Sequence, residues 1–451
     1  LPIITNEYIN CYFGFVAYIV FLAVYINTEK SINAKVPLKL TKRLVRLIIT
    51  YLIFLIGLNF GLMCLLNLFA SLINDNIVSV LRFSLICFVP CLIPYVLFIA
   101  YCFNEPFEYL VRKHYINKAK RKIKNANLIK IGITGSYGKT SVKEILKTIL
   151  LQKYRVLATP RSYNTPMGLA KTLNMLDSTH DVLIAEMGAR CVGDIRELAM
   201  MIKPNYGVIT GINNQHLETF KTIEHTKNTK YELIENLTEN GVAFFSSDNK
   251  YTLELYDRCD SEKVKAGLNG ENNLVTAENI KVTTSGTNFD LVFEGKEKIN
   301  CSTILLGSHS IKNICLASAV AYKMGMAKEE IAEGINRIQS IGHRLELVKN
   351  NKNIVIIDDS YNSNEDGISA AMEVLDMFSG RKIVLTPGLV ELGKTENMVN
   401  FEYGKLLSKH ADKVIVIGKH NATMIVNGLV EGGMKKEDIM FAKNLNRGND
   451  E

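Results

Sequence analysis

An eight-residue run, Thr134-Gly135-Ser136-Tyr137-Gly138-Lys139-Thr140-Ser141, restricts the folds open to this chain more than any other feature. Its flanks matter as much as its glycines. Leu128–Ile133 reads as a strand, and Val142–Leu150 carries apolar residues at helical spacing, which is the strand, loop, helix setting of a phosphate-binding loop. Gly135 and Gly138 let backbone N–H groups close around phosphate oxygens at a helix N-terminus. Lys139 adds a point charge, and Thr140 or Ser141 offers a hydroxyl to Mg2+. The spacing departs from the ordinary Walker pattern, because Gly132 lies one residue too far from Gly138 and Gly135 two residues too near. A glycine-bearing turn without a ligand is the bland alternative, and the Gly-Lys-Thr triplet argues against it.

A chain of 451 residues exceeds one typical domain, so two or three units are expected. Residues 1–110 stand apart in composition. Apolar runs extend over Tyr8–Ile26, Leu47–Ile73 and Ile77–Phe103, and each reaches the roughly 18–20 residues that cross a bilayer. Three membrane helices are therefore expected, followed by a basic juxtamembrane linker at 111–127. Asn59, Asn67, Pro90 and Pro94 are tolerable inside such helices, and Arg82 lies near enough to an end to reach the interface. A cleaved signal peptide accounts for the first run but not for the next two.

Basic residues follow the first run (Lys30, Lys35, Lys39, Lys42, Arg43, Arg46) and the third (Arg112, Lys113, Lys118, Lys120, Arg121, Lys122, Lys124), while Asn74-Asp75-Asn76 has none. The positive-inside tendency then predicts a multi-pass protein of the cell membrane, with its N-terminus outside and everything after about residue 104 cytoplasmic. Anionic membrane lipid is the expected partner of these segments, and nucleic acid is not. They also account locally for the net charge of +8. The nine cysteines lack metal-binding spacing and form no evident disulfide framework.

From Leu128 onward, strand-like runs alternate with helical patterns, the mark of a mostly parallel α/β sheet. Strands are expected at Leu128–Thr134, Arg155–Ala158, Asp181–Glu186, Tyr206–Thr210 and Val242–Ser246, with a small antiparallel insertion over Lys263–Ser302. Helices return at Ser308–Met324 and Lys328–Ile338. A second alternating unit begins near Asn353–Asp358 and continues through Lys382–Leu385 and Lys413–Ile417. These patterns divide the soluble part into 128–340 and 341–451. Glu186 ends a strand of apolar residues at the sheet edge where α/β proteins build their sites, which makes it a candidate metal ligand. His216 falls in the loop after the next strand; a lone histidine is weak as a signal, and its expected place on the same edge strengthens it.

Taken in order, TGSYGKTS, SYNTPMG, EMGA, NNQHLE, TKYELI, GSHSIKN, GHRLE, DDSYNSN and TPGLVELG resemble the Mur ligase family of ATP-dependent amide-forming enzymes, over roughly residues 128–420. The resemblance implies a P-loop central domain and a Rossmann-like C-terminal domain, with ATP and Mg2+ as cofactors. It implies a carboxylate-amine ligase that works through an acyl phosphate. Within the family, EMGA, HLE and DDSYNSN resemble the members that add a D-alanyl-D-alanine-type dipeptide to a muramoyl-peptide precursor of peptidoglycan, in cell wall biogenesis. The partners implied are a muramoyl-peptide or related acidic substrate and an amine-bearing dipeptide acceptor.

Site residues follow from the same resemblance. Gly135, Ser136, Gly138, Lys139, Thr140 and Ser141 would hold the nucleotide phosphates, with Lys139 on the terminal ones. Thr140, Glu186 and His216 would hold metal, and Lys230 matches a lysine that the family often carbamylates, with Lys227 as a rival. Asn313 resembles the adenine-side asparagine. Arg344 and Asp359 resemble a linker arginine and a C-terminal aspartate that approach ATP, and Asn362 and Asn364 lie where that domain approaches substrate. Three departures accompany the match: apolar segments stand where the family carries a UDP-binding domain, the chain stops early and opens on Leu1 as a fragment would, and Ser310 replaces a usual asparagine. Two other functions remain open, a ligase of the same chemistry acting on a poly-glutamate-type or lipid-linked acid, and an ATP-binding membrane scaffold without catalysis.

Overall fold

In the computed structural model, which describes residues 40–70, 75–160, 162–213, 220–348, 354–360, 365–390 and 392–442, the apolar runs at Ile129–Thr134, Val182–Glu186, Tyr206–Ile209 and Val242–Ser246 become strands largely buried on both faces. β1 (Ile129–Thr134), β2 (Val156–Ala158), β3 (Val182–Glu186), β4 (Tyr206–Ile209), β5 (Val242–Ser246) and β6 (Glu262–Ala266) pair in parallel. β7 (Val275–Thr283) joins β6 in parallel through Ala266 and Val275, and β8 (Gly286–Phe293) and β9 (Glu297–Thr303) continue the same sheet in antiparallel pairing. The order is β2-β3-β1-β4-β5-β6-β7-β8-β9. The expected antiparallel insertion is thus corrected. Its first segment is a parallel strand beside β5, and the rest extends the sheet edge, because the half-polar alternation of β7 to β9 suits strands with one wet face.

Alternation sorts the core into two layers. Ile131, Ile133, Ile184, Val208 and Phe244 face the helices Lys139–Leu150 and Ser308–Lys323. Leu183, Ala185, Ile209, Ala243 and Phe245 face the helices Pro166–Met175, Asp194–Ile202 and Ile223–Glu235. Because β1 lies between β3 and β4, the loops leaving the carboxyl ends of β1, β3, β4 and β5 converge at one edge.

Toward the C-terminus, β12 (Ile383–Thr386), β13 (Lys413–Ile417) and β14 (Ile439–Ala442) form a parallel three-stranded sheet. The strand expected from 353 does not join it. Ile356–Asp358, β11, pairs antiparallel with β10 (Glu346–Val348), so this run belongs to a hairpin in the connection from the nine-stranded sheet. Helices Glu396–His410 and Ala422–Glu431 pack closely where Gly404 and Gly428 meet, and a Cβ on Gly428 would overlap the Phe401 carbonyl oxygen and approach the Gly404 Cα to 3.1 Å. Alanine would gain about 1 kcal/mol of helix propensity, but the atom it meets is backbone and cannot rotate away, at a cost of roughly 1–3 kcal/mol. Gly428→Ala is therefore expected to lower the thermal midpoint by a few degrees; an unchanged or raised midpoint would contradict this packing.

The chain divides into two units, Leu1–Val111 and Arg112–Glu451. In the first, an antiparallel helix pair is tied at its polar end: Arg46 bonds Glu108 at 2.6 Å, Arg43 lies 3.5 Å from Glu105, and the Thr50 hydroxyl donates to Asn104 Oδ1 at 3.4 Å. Beyond these polar ties the side chains turn apolar and exposed, as at Ile53, Ile56, Phe60, Phe98 and Phe103. The three expected spans reduce to one among the described residues: Lys42–Leu68 is long and apolar enough to cross a membrane, by length and composition. Tyr8–Ile26 lies outside the described residues. Ile77–Phe103 is part of a single helix, Asp75–Lys124, that runs on into the basic stretch instead of ending with its apolar run.

Candidate active site

The loop after β1 is braced by the loop after β4. Ser136 N–H donates to Gly211 O at 2.7 Å, Thr210 N–H to Thr134 O at 3.0 Å, and the Thr210 hydroxyl to Tyr137 O. Gly135, at φ 153°, is pressed so closely against Thr210 that a Cβ would collide with its hydroxyl. Gly138, at φ 78°, turns the chain into the helix Lys139–Leu150, whose first N–H groups therefore open toward the sheet edge. Asn313, on the helix Ser308–Lys323, stands beside this turn, with its Oδ1 3.1 Å from the position a Cβ on Gly138 would take. Ser141 follows in the first helical turn, half-buried.

Lys139 closes back on its own loop and donates to Gly135 O at 2.6 Å and Ser136 O at 2.9 Å. Burial pushes its pKa down to about 8; the Glu186 carboxylate opposes this and the Arg344 charge adds to it. Glu186, at the end of β3 and 4% exposed, is the centre of the cluster. The Thr140 hydroxyl lies 3.1 Å from each of its oxygens, and Lys143 Nζ lies 3.2 Å from Oε2. Its own N–H donates to Thr159 Oγ1 at 3.0 Å. A hydroxyl and a carboxylate held together at the mouth of a helix are hard oxygen donors, the set that suits Mg2+.

Lys230 reaches the site from the helix Ile223–Glu235. It is 2% exposed, with its ammonium 5.6 Å over the Phe220 ring. Burial, with the charge of Lys139, pushes its pKa down to about 7, against Asp194 and Glu232. The rival Lys227 points elsewhere, pairing with Glu224 at 2.8 Å and Glu254 at 2.7 Å. An amine that is partly neutral at physiological pH is thus found at Lys230 and not at Lys227.

Arg344 and Asp359 also converge here. Arg344 lies close enough for its charge to act on Lys139, His309 and Asp359. It is flanked by two residues in left-handed backbone, His343 at φ 62° and Leu345 at φ 45°. Asp359 Oδ1 accepts from Leu345 N–H at 3.3 Å, and burial pushes this carboxyl up to about 6 against the pull of Arg344. The turn is clasped by His343 Nδ1, 2.7 Å from Asp358 Oδ2, and by His343 N–H, which donates to Glu346 Oε2 at 3.0 Å. His216, Asn362 and Asn364 lie outside the described residues.

Three neighbours were not expected from sequence. Thr159 anchors the Glu186 backbone, and His309 is pushed down to about 4 by burial and by the charges of Arg344 and Lys312. Lys143 is fully buried. A signal for it was available: it lies within the apolar stripe Val142, Ile145, Leu146 and Ile149, where a solvated lysine has no place.

Comparison with known proteins places these loops in a family. Residues 133–321 match the Mur ligase middle domain, and residues 343–447 match the Mur ligase, glutamate ligase domain. The chain is 30% identical over 294 residues to the UDP-N-acetylmuramoyl-tripeptide--D-alanyl-D-alanine ligase of Buchnera aphidicola, covering 65% of this chain and 64% of that protein. It is 29% identical to the Bacillus subtilis protein of the same name, covering 68% and 65%. The chain thus spans a little under two thirds of these relatives' lengths. Among solved structures, MurF from Acinetobacter baumannii superposes with a TM-score of 0.66 at 25% identity, over 73% of this chain and 71% of that one.

Proposed function

From the premise that the chain belongs to the Mur ligase family, we propose that it forms an amide bond at the cost of ATP, adding a D-alanyl-D-alanine-type dipeptide to the carboxylate of a muramoyl-peptide precursor of peptidoglycan. The observation that carries this reading is the gathering of Thr140, Lys139 and Glu186 at one sheet edge, within reach of the Arg344 charge. A scaffold that only binds Mg2+-nucleotide also has use for Glu186; what argues against it is the convergence of Arg344 and Asp359 on the same site. The names of the relatives supply the two substrates of this reading.

When bound, ATP with Mg2+ supplies the phosphoryl group that turns a poor electrophile, the carboxylate, into an acyl phosphate. The chain supplies place and charge. Lys139 exchanges the Gly135 and Ser136 carbonyls for phosphate oxygens, a stronger charge-assisted bond. Thr140 and Glu186 would hold the metal, with help proposed for His216 and for Lys230 as a carbamate. Ser136, Ser141 and the first N–H groups of Lys139–Leu150 cradle phosphate, and Asn313 meets the adenine side. Arg344 and Asp359, carried beyond the central domain at 128–340, complete the site and exclude water from the activated acid.

Arg344→Ala is expected to lower ligation by about ten- to a hundredfold, since a charge-assisted contact contributes about 1.5–3 kcal/mol. Full ligation by this variant, measured as product formed per ATP consumed, would remove Arg344 from the site. The apolar helix Lys42–Leu68 favours a second reading of the substrate. A chain anchored in the cell membrane, with its catalytic part cytoplasmic, is suited to an acid presented on a lipid carrier. Turnover of lipid-linked but not UDP-linked muramoyl-tripeptide would select this reading.

A further inference from the structure

We propose that Lys143 is a positioning residue that fixes the carboxylate of Glu186 for metal, an inference that rests on the reading of Glu186 as a metal ligand. An ammonium has three N–H donors. In this site it has three oxygen partners: Thr159 O at 2.9 Å, Glu186 Oε2 at 3.2 Å and Glu144 Oε1 at 3.2 Å. Thr159 in turn accepts the Glu186 N–H. Backbone and side chain of Glu186 are thus tied to one pair of residues, on the face away from solvent.

Helical spacing explains the division of labour. Thr140 and Lys143 are three residues apart and share a face, so one helix brings a hydroxyl to the open side of the carboxylate and a cation to its buried side. Lys143 also binds the carbonyl of Thr159, just past β2, and Asn164 O accepts from Gly188 N–H at 3.0 Å beyond Glu186. For stability alone, a buried ion pair is replaceable by apolar side chains. Orientation of a metal ligand is not, and groups behind a ligand are worth about ten- to a hundredfold in metal affinity.

The test is binding of Mn2+ to the full chain with ADP present, read from the electron spin resonance signal of free Mn2+. Lys143→Met is expected to bind Mn2+ about tenfold more weakly and to need about tenfold more Mg2+ for half-maximal phosphate release, with kcat at saturating Mg2+ within about threefold of wild type. A purely structural lysine would lower the melting temperature and leave both metal midpoints in place, which would overturn the proposal. Glu186→Gln separates the two levels of the claim. If it weakens Mn2+ while folded Lys143→Met does not, the role of Lys143 is wrong; if neither does, the metal-ligand reading falls and takes the role with it. Should Lys143→Met fail to fold, Lys143→Gln removes the charge and shortens the reach to Glu186 Oε2 while keeping a polar end for the Thr159 carbonyl, and an unchanged Mn2+ affinity there overturns the proposal equally.

Discussion

Lys139→Met is expected to fold normally and to lose on the order of 10³-fold in kcat/KM for substrate-stimulated ATP turnover. The magnitude is that of removing one preorganised donor from a developing negative charge in a water-poor site. Its stability should change little, because two opposing effects meet at this side chain. Methionine gives up hydrogen bonds to Gly135 O and Ser136 O, each worth about 1 kcal/mol. It also removes a cation that burial has already pushed down to about 8. Nucleotide-free melting curves close to wild type, together with collapsed turnover, would assign the lysine to phosphate. A large loss of stability with turnover preserved in the folded fraction would assign it to the loop.

Lys230→Met should show the opposite balance: a more stable protein with little activity. The folded-state pKa of about 7 lies below the ordinary value of 10.5, so the folded chain binds fewer protons than the unfolded chain between these values. Wild-type stability therefore rises with pH through that window, and the penalty for burying the charge is fully present below about pH 7. The variant should be more stable by on the order of 3 kcal/mol at or below neutral pH, with the gap closing toward pH 10. Ligation should fall by on the order of 10²-fold or more, as for a lost electrostatic group at the reacting centre. If Lys230 works as a carbamate, stripping CO2 from the assay should lower wild-type turnover and leave the residual activity of the variant unchanged. Urea titrations at several pH values check the first half, and a variant no more stable than wild type would contradict the burial of a charged amine.

The strands that build the site were legible because parallel strands covered on both faces leave unbroken apolar runs. Leu128–Thr134, Asp181–Glu186 and Val242–Ser246 were each expected to within a residue of the strands found. The half-wet strands at the sheet edge were not read this way, since their alternation says antiparallel without saying which sheet they join. The 353–358 run misled for a related reason: three strand residues form a hairpin with β10 as readily as they start a new sheet. Glu186 and Lys230 could be singled out from sequence because each sits in a distinctive motif. Lys143 could not be paired with Glu186, because the bond between them spans two elements of the fold; the apolar stripe around it signals burial but names no partner.

The apolar N-terminal segment shows the limits of composition in another way. Leu47–Ile73 and Ile77–Phe103 look alike as hydropathy, yet the first belongs to a helix ending at Ala70 and the second to a 50-residue helix ending in Arg121, Lys122 and Lys124. Length and apolarity alone do not say where such a helix leaves a bilayer.

The central claim is that this chain uses ATP to activate a carboxylate for attack by an amine, and the route of one oxygen atom tests it. The full chain is given ATP, Mg2+, D-alanyl-D-alanine and UDP-muramoyl-tripeptide carrying 18O in its terminal carboxylate, and both products are weighed by mass spectrometry. An acyl phosphate requires one labelled oxygen to leave with inorganic phosphate for each amide bond formed, so equal amounts of 18O-phosphate and ligated pentapeptide are predicted. Unlabelled phosphate released without ligated product, with either the UDP-linked or a lipid-linked acid, would contradict the account.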